Sequence, residues 1–121
     1  MKSEAAIQSE IRKRASQLGV FLWRNNVGAC ETAEGRIIRY GLANDSVLLS
    51  KQIKSSDLVG WTAGGRFVSV EVKREGWEYP RTPSDREKAQ AKWINLVKDN
   101  GGLAGFATCV KDFEEILGHN R

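Results

Sequence analysis

The chain has 121 residues, 40% hydrophobic and 28% charged, with 19 Lys and Arg against 15 Asp and Glu for a net charge of +4. That length holds one domain, residues 1–121, because a second would need roughly 100 more residues to bury its own core. There is no apolar run near the roughly 18 residues of a bilayer span and no signal-peptide core in MKSEAAIQSE, and two cysteines, Cys30 and Cys109, are too few for a disulfide scaffold. The lone histidine, His119, removes His-pair metal sites. A cytoplasmic protein without a membrane partner is expected. Its modest positive excess suits a polyanion without demanding one.

Residues 3–18 predict an amphipathic helix, with Ile7, Ile11, Ala15 and Leu18 at helical spacing and Gly19 as the stop. Val20–Trp23 is a short β-favouring run. Residues 25–35 carry turn signals, and Arg36–Tyr40 reads as a second short strand. Residues 46–54 fit either a helical turn or two or an ordered loop. Asp57–Trp61 and Phe67–Lys73 flank Thr62–Arg66 as a β-hairpin. After a loop over residues 74–83, Ser84 with Glu87 forms a capping box that opens a helix to about Asn100. Gly101 and Gly102 end that helix, Leu103–Cys109 is a further strand, and Asp112 begins a short terminal helix. This order predicts an α/β fold, a mixed β-sheet flanked by helices.

The hairpin concentrates the chemistry. A turn centred on Ala63–Gly65 pairs residues whose numbers sum to about 128, which sets Asp57 opposite Glu71 on one face of the pair. Lys73, two residues on, emerges on that face too. Two carboxylates at such a distance repel unless a proton or cation lies between them. Oxygen donors without His or Cys suit Mg²⁺ or Mn²⁺, with the Val72 backbone carbonyl as a further ligand. Such an ion polarises a phosphoryl oxygen and acidifies a bound water, and Lys73 can orient that water or neutralise charge growing on the phosphate. The competing reading is a cross-strand salt-bridge cluster on a solvated face. Val59, Trp61 and Phe67 in the same register argue against full solvation.

The segments SDLVG and EVK resemble the PD-(D/E)xK nuclease core, with Ser56 where the proline usually stands. The wider match is to the virus-type replication-repair nuclease (VRR-NUC) domain, through SEAAIQ, WRNNVG, KSSDLVG, FVSVEVKREG, AQAKWINLV and GGLAGFA in that order. The resemblance implies a restriction-endonuclease-like core, and small stand-alone members associated with phages and with structure-specific DNA cleavage. A bacterial or phage-infected cell is the implied setting. Position by position it implies Asp57 and Glu71 as metal ligands, Lys73 as the catalytic lysine and Gln90 as the glutamine of the following helix. It also implies a glutamate on the first helix. Glu4 lies roughly 25° from the apolar face and Glu10 roughly 95° away, so Glu4 is the candidate that turns toward the sheet.

Arg24, Asn25 and Arg74 are candidate contacts to DNA phosphates. Lys88 and Lys92 read as solubility charges on the exposed side of their helix. Trp77 and Tyr79 either stack on unpaired bases, cover an apolar edge or meet a second subunit, and the nearby Glu75 and Glu78 disfavour DNA. The expected activity is a Mg²⁺- or Mn²⁺-dependent DNA endonuclease that cuts branched DNA, with four-way junctions requiring a homodimer for paired cuts. A flap or single-strand nuclease and a non-catalytic DNA-binding module are the alternatives.

Overall fold

The computed structural model describes residues 1–118, and His119 lies outside them. The chain runs α1 (Glu4–Gln17), β1 (Phe21–Arg24), β2 (Gly28–Glu31), β3 (Ile37–Tyr40), α2 (Val47–Gln52), β4 (Leu58–Trp61), β5 (Phe67–Val72), α3 (Asp85–Asp99), β6 (Leu103–Ala107) and α4 (Val110–Ile116). The main sheet has the order β1-β4-β5-β6. Its first two pairings are antiparallel and β5–β6 is parallel, so the mixed sheet flanked by helices is present.

Local chemistry sets the element ends. The Ala6 N–H donates to Ser3 Oγ at 3.1 Å to cap α1, and Gly19, at φ 72°, turns the chain out of it. In the capping box the Glu87 N–H donates to Ser84 Oγ at 3.1 Å, and the Ser84 N–H donates to Glu87 Oε1 at 2.9 Å. Ser46 caps α2 through the Leu49 N–H, so the open segment at 46–54 resolves into a short helix.

The β4–β5 hairpin pairs Leu58 with Val70, Val59 with Ser69, Gly60 with Val68 and Trp61 with Phe67. Every pair sums to 128, the register the turn predicts. Gly60 has no substitute, because a Cβ there would lie 1.7 Å from the Phe21 carbonyl oxygen of β1.

The sheet's two faces are covered differently. Leu58, Val68, Val70, Val72 and Ala107 pack against Ile7, Ile11 and Ala15 of α1 and Phe113 of α4. On the other face, Phe67, Ala104 and Phe106 meet Trp93, Ile94 and Val97 of α3. There the Trp93 indole N–H donates to the fully buried Ser69 Oγ at 2.9 Å.

Two expectations are corrected. Residues 25–35 are not only a turn, since β2 pairs with β3 in a separate two-stranded ribbon. Both ribbon strands are largely exposed, so neither carries the buried alternation that marks a strand. β6 stops at Ala107 rather than Cys109, and α4 starts at Val110 rather than Asp112. Asp112 Oδ2 accepts from both the N–H and the Oγ1 of Thr108 at 2.8 Å, which draws the chain out of the strand there. Among the described residues no helix is long and apolar enough to cross a membrane.

Candidate active site

Asp57 stands just ahead of β4, where its carbonyl accepts the Asn25 N–H at 2.7 Å. Its Oδ2 accepts the Val72 N–H of β5 at 2.9 Å, so the carboxylate reaches across the hairpin. One residue beyond the last ladder pair, the register sets Asp57 opposite Glu71, and their side chains are in hydrogen-bonding contact. Glu71 is only 5% exposed. Burial, followed by the hydrogen bond and the charge of Asp57, pushes its pKa up to about 9. Lys73 and Arg86 pull in the opposite direction and are outweighed. Glu71 therefore holds its proton more tightly than an ordinary carboxyl does.

Neither carboxylate belongs to an ion pair among the described residues. Together with the cover that α3 provides, this sets aside the salt-bridge cluster on a solvated face. Two adjacent carboxylates are a donor set that would fit a hard divalent ion, and its binding would compete with the proton on Glu71. No group of three or more His, Cys, Asp or Glu side chains gathers among the described residues. An ion held here would have two carboxylates as side-chain donors, with its other positions open to a backbone carbonyl, water and substrate, as Mg²⁺ tolerates.

Lys73 is held beside this pair rather than tied to it. Its Nζ donates to Gln90 Oε1 at 2.8 Å and lies 5.2 Å from the Trp77 ring centroid and 5.8 Å from that of Phe106. Gln90 is 2% exposed. Trp77 packs 4.9 Å from Phe106. Tyr79 lies 5.5 Å from Phe106. Among the uses open to these two aromatics, covering an apolar edge of their own sheet is the one observed, and Trp77 also walls in the ammonium.

Of the other candidates, Asn25 lines the same cleft as Asp57, Glu71 and Gln90, whereas Arg24, Arg74 and Glu4 do not. Both amide hydrogens of Asn25 are taken, by Ser55 Oγ at 2.8 Å and the Ser56 carbonyl at 2.9 Å, while its Oδ1 accepts from the Leu42 N–H at 3.1 Å. Its side chain clamps the 41–56 segment onto β1, so its amide hydrogens are engaged within the fold. Arg24 and Arg74 are exposed and outside the cleft that holds Asp57 and Glu71. Glu4 is exposed on the first turn of α1, and α1 covers the sheet face opposite Glu71. Glu4 makes no contact with Asp57, Glu71 or Lys73 among the described hydrogen bonds and ion pairs. Glu10 pairs with Lys2 at 3.0 Å on the surface.

The cleft, about 300 Å³, is lined by Asp57, Glu71 and Gln90 and also by Lys54, Arg86 and Arg39. Sequence reasoning passed over these three cations. Arg86 had a usable signal, because it lies one turn of α3 before Gln90. Lys54 and Arg39 had none, since their positions depend on how residues 41–56 fold back.

An aspartate before one strand and Glu-x-Lys on its hairpin partner, carried on a helix-flanked mixed sheet, define a restriction-endonuclease-like nuclease core. The VRR-NUC domain family model matches residues 2–111, and the chain belongs to this PD-(D/E)xK-like nuclease family. The family generally uses divalent metal ions. No match was found among curated proteins.

Proposed function

We propose that the chain is a Mg²⁺- or Mn²⁺-dependent DNA endonuclease that cuts branched DNA, four-way junctions in particular, as a homodimer. The observation that carries this reading is the Asp57–Glu71 pair beside a lysine held by Gln90. Asp57, Glu71 and the Val72 carbonyl would hold the ion. When bound, it supplies polarisation of a phosphoryl oxygen and a water acidic enough to act near neutral pH. Lys73 offsets negative charge at the phosphate under attack, and Gln90 keeps its ammonium in place without neutralising it. The Trp77 and Phe106 rings shield that ammonium from water and strengthen its field.

One constellation makes one cut, so paired cuts at a junction require two copies. The aromatic patch on β1 and β4 supports a second copy. Phe21, Trp23 and Trp61 are each about half exposed, and Trp23 and Trp61 are 5.0 Å apart.

The test incubates the protein with end-labelled four-way junction, flap, splayed-arm and linear duplexes in Mg²⁺, Mn²⁺ or EDTA, with Glu71→Ala as control. Metal-dependent paired cuts near the junction centre, absent in the variant, are expected. Cuts confined to flaps or single strands would keep the nuclease and discard the junction role. Binding without any cleavage would replace both with a DNA-binding module.

A further inference from the structure

A second basic feature opens off the cleft. Between α2 and α3 lies a groove of about 630 Å³ whose lining includes Lys51, Lys54, Arg86, Lys88 and Lys92, with Asp85 as the one acid. Among the described residues none of these five cations forms an ion pair, the pairs described being Lys2–Glu10 and Arg14–Glu114. Lys54 and Arg86 line both the cleft and the groove, so the two join. The wall is a built one, since the Lys54 backbone N–H donates to the Ala89 carbonyl of α3 at 3.1 Å and holds the end of α2 against that helix.

We propose that this groove is the track for the DNA strand leaving the active site, with its cations contacting the phosphates that flank the scissile one. This rests on the nuclease reading above and adds to it which surface carries the substrate. Unpaired like charges packed along one groove repel one another, and a polyanion relieves that repulsion while releasing its own counterions. The dimensions agree. From Arg86 to Lys92 the helix advances about 9 Å at 1.5 Å per residue, which spans two to three phosphates at about 3.4 Å of axis per phosphate along one duplex strand. Lys88 and Lys92, one turn apart, face the groove together. The proposal gives them a role beyond the solubility charges the sequence suggests.

The test measures DNA affinity by fluorescence anisotropy in EDTA, from about 50 to 200 mM salt, on a labelled branched duplex. The parent is Glu71→Gln, so no cleavage intrudes. Lys51→Gln/Lys88→Gln/Lys92→Gln in that parent is expected to weaken binding at least about tenfold and to flatten the salt slope by about 2 to 3 units, near 0.9 per lost phosphate contact. Lys13→Gln/Lys98→Gln/Lys111→Gln removes the same charge elsewhere and is expected to keep the parental slope. Equal losses in both triples, or no loss in the first, would overturn the groove. Cleavage by the protein with Glu71 intact is scored in parallel. A protein that cuts DNA while the groove triple binds as tightly as its parent loses the groove and keeps the nuclease. A protein that cuts nothing in Mg²⁺ or Mn²⁺, while only the groove triple loses DNA, keeps the groove and loses the nuclease.

Discussion

The two faces of the four-stranded sheet are made by the same strands and differ in nearly everything else. Under α1 and α4 the hairpin presents Leu58, Val68, Val70 and Val72, all buried, with no charged group among them. Under α3 the alternate positions of β5 present Phe67, Ser69 and Glu71. Ser69 accepts from Trp93, whereas Glu71 is buried against a second carboxylate. A sheet face that is fully apolar stabilises the fold, and one that buries a carboxyl pair forgoes stability for chemistry. Substitutions on the two faces should therefore have opposite signatures.

The largest expected effect is on the chemical face. Glu71→Gln and Asp57→Asn are expected to lower the cleavage rate by about 10³-fold or more, measured as single-turnover kinetics on labelled DNA, as loss of an essential catalytic group does. Glu71→Gln should at the same time raise the melting midpoint of the metal-free protein. The sign follows from linkage. A carboxyl whose folded pKa lies above its unfolded value contributes fully to stability only below the unfolded value, and that contribution is lost as pH rises toward the folded one. With Glu71 raised from 4.5 to about 9, the wild-type midpoint in EDTA should fall from pH 5 to pH 9. The Gln variant should show a shallower fall, readable by thermal denaturation across that range.

On the apolar face the signature reverses. Ile11→Ala, at a fully buried position of α1, is expected to cost about 2–5 kcal/mol in urea denaturation. The residual folded fraction should cleave at the wild-type rate. Trp77→Ala should lower the rate by about tenfold through loss of one wall around Lys73, within the roughly 0.5–2 kcal/mol of a cation–π contact. Trp77→Phe, which keeps a ring, should restore most of it. The smallest effect belongs to Ser56→Ala. Ser56 Oγ is buried with no hydrogen-bond partner, so removing it should leave stability unchanged or raise it by about 1 kcal/mol.

The apolar face was legible because alternation along β5 and the stripe on α1 are one-dimensional patterns. The hairpin register was legible because a five-residue turn fixes pairing, and with it the meeting of Asp57 and Glu71. Gln90 entered only through the family resemblance, since spacing alone marks it as one more residue on a half-buried helix. The cover that α3 gives the polar face was not readable, because nothing in β5 says which helix lies over it. The groove that Lys88 and Lys92 line was likewise not readable, because it depends on α2 packing beside α3. The surroundings of Asn25 were unreadable in another way. A polar residue next to an arginine after a strand suits phosphate binding, and only the fold of residues 41–56 reveals that its amide is already used.

The central claim is that Asp57 and Glu71 form a metal site that fills only when Glu71 gives up its proton. Calorimetric titration of the DNA-free protein with Mn²⁺, in buffers of different ionisation heat near pH 7, tests it most directly. Binding with release of about one proton per ion is expected, together with its loss in Glu71→Gln. Mn²⁺ binding of equal strength in Glu71→Gln, or none in the wild type, would contradict it.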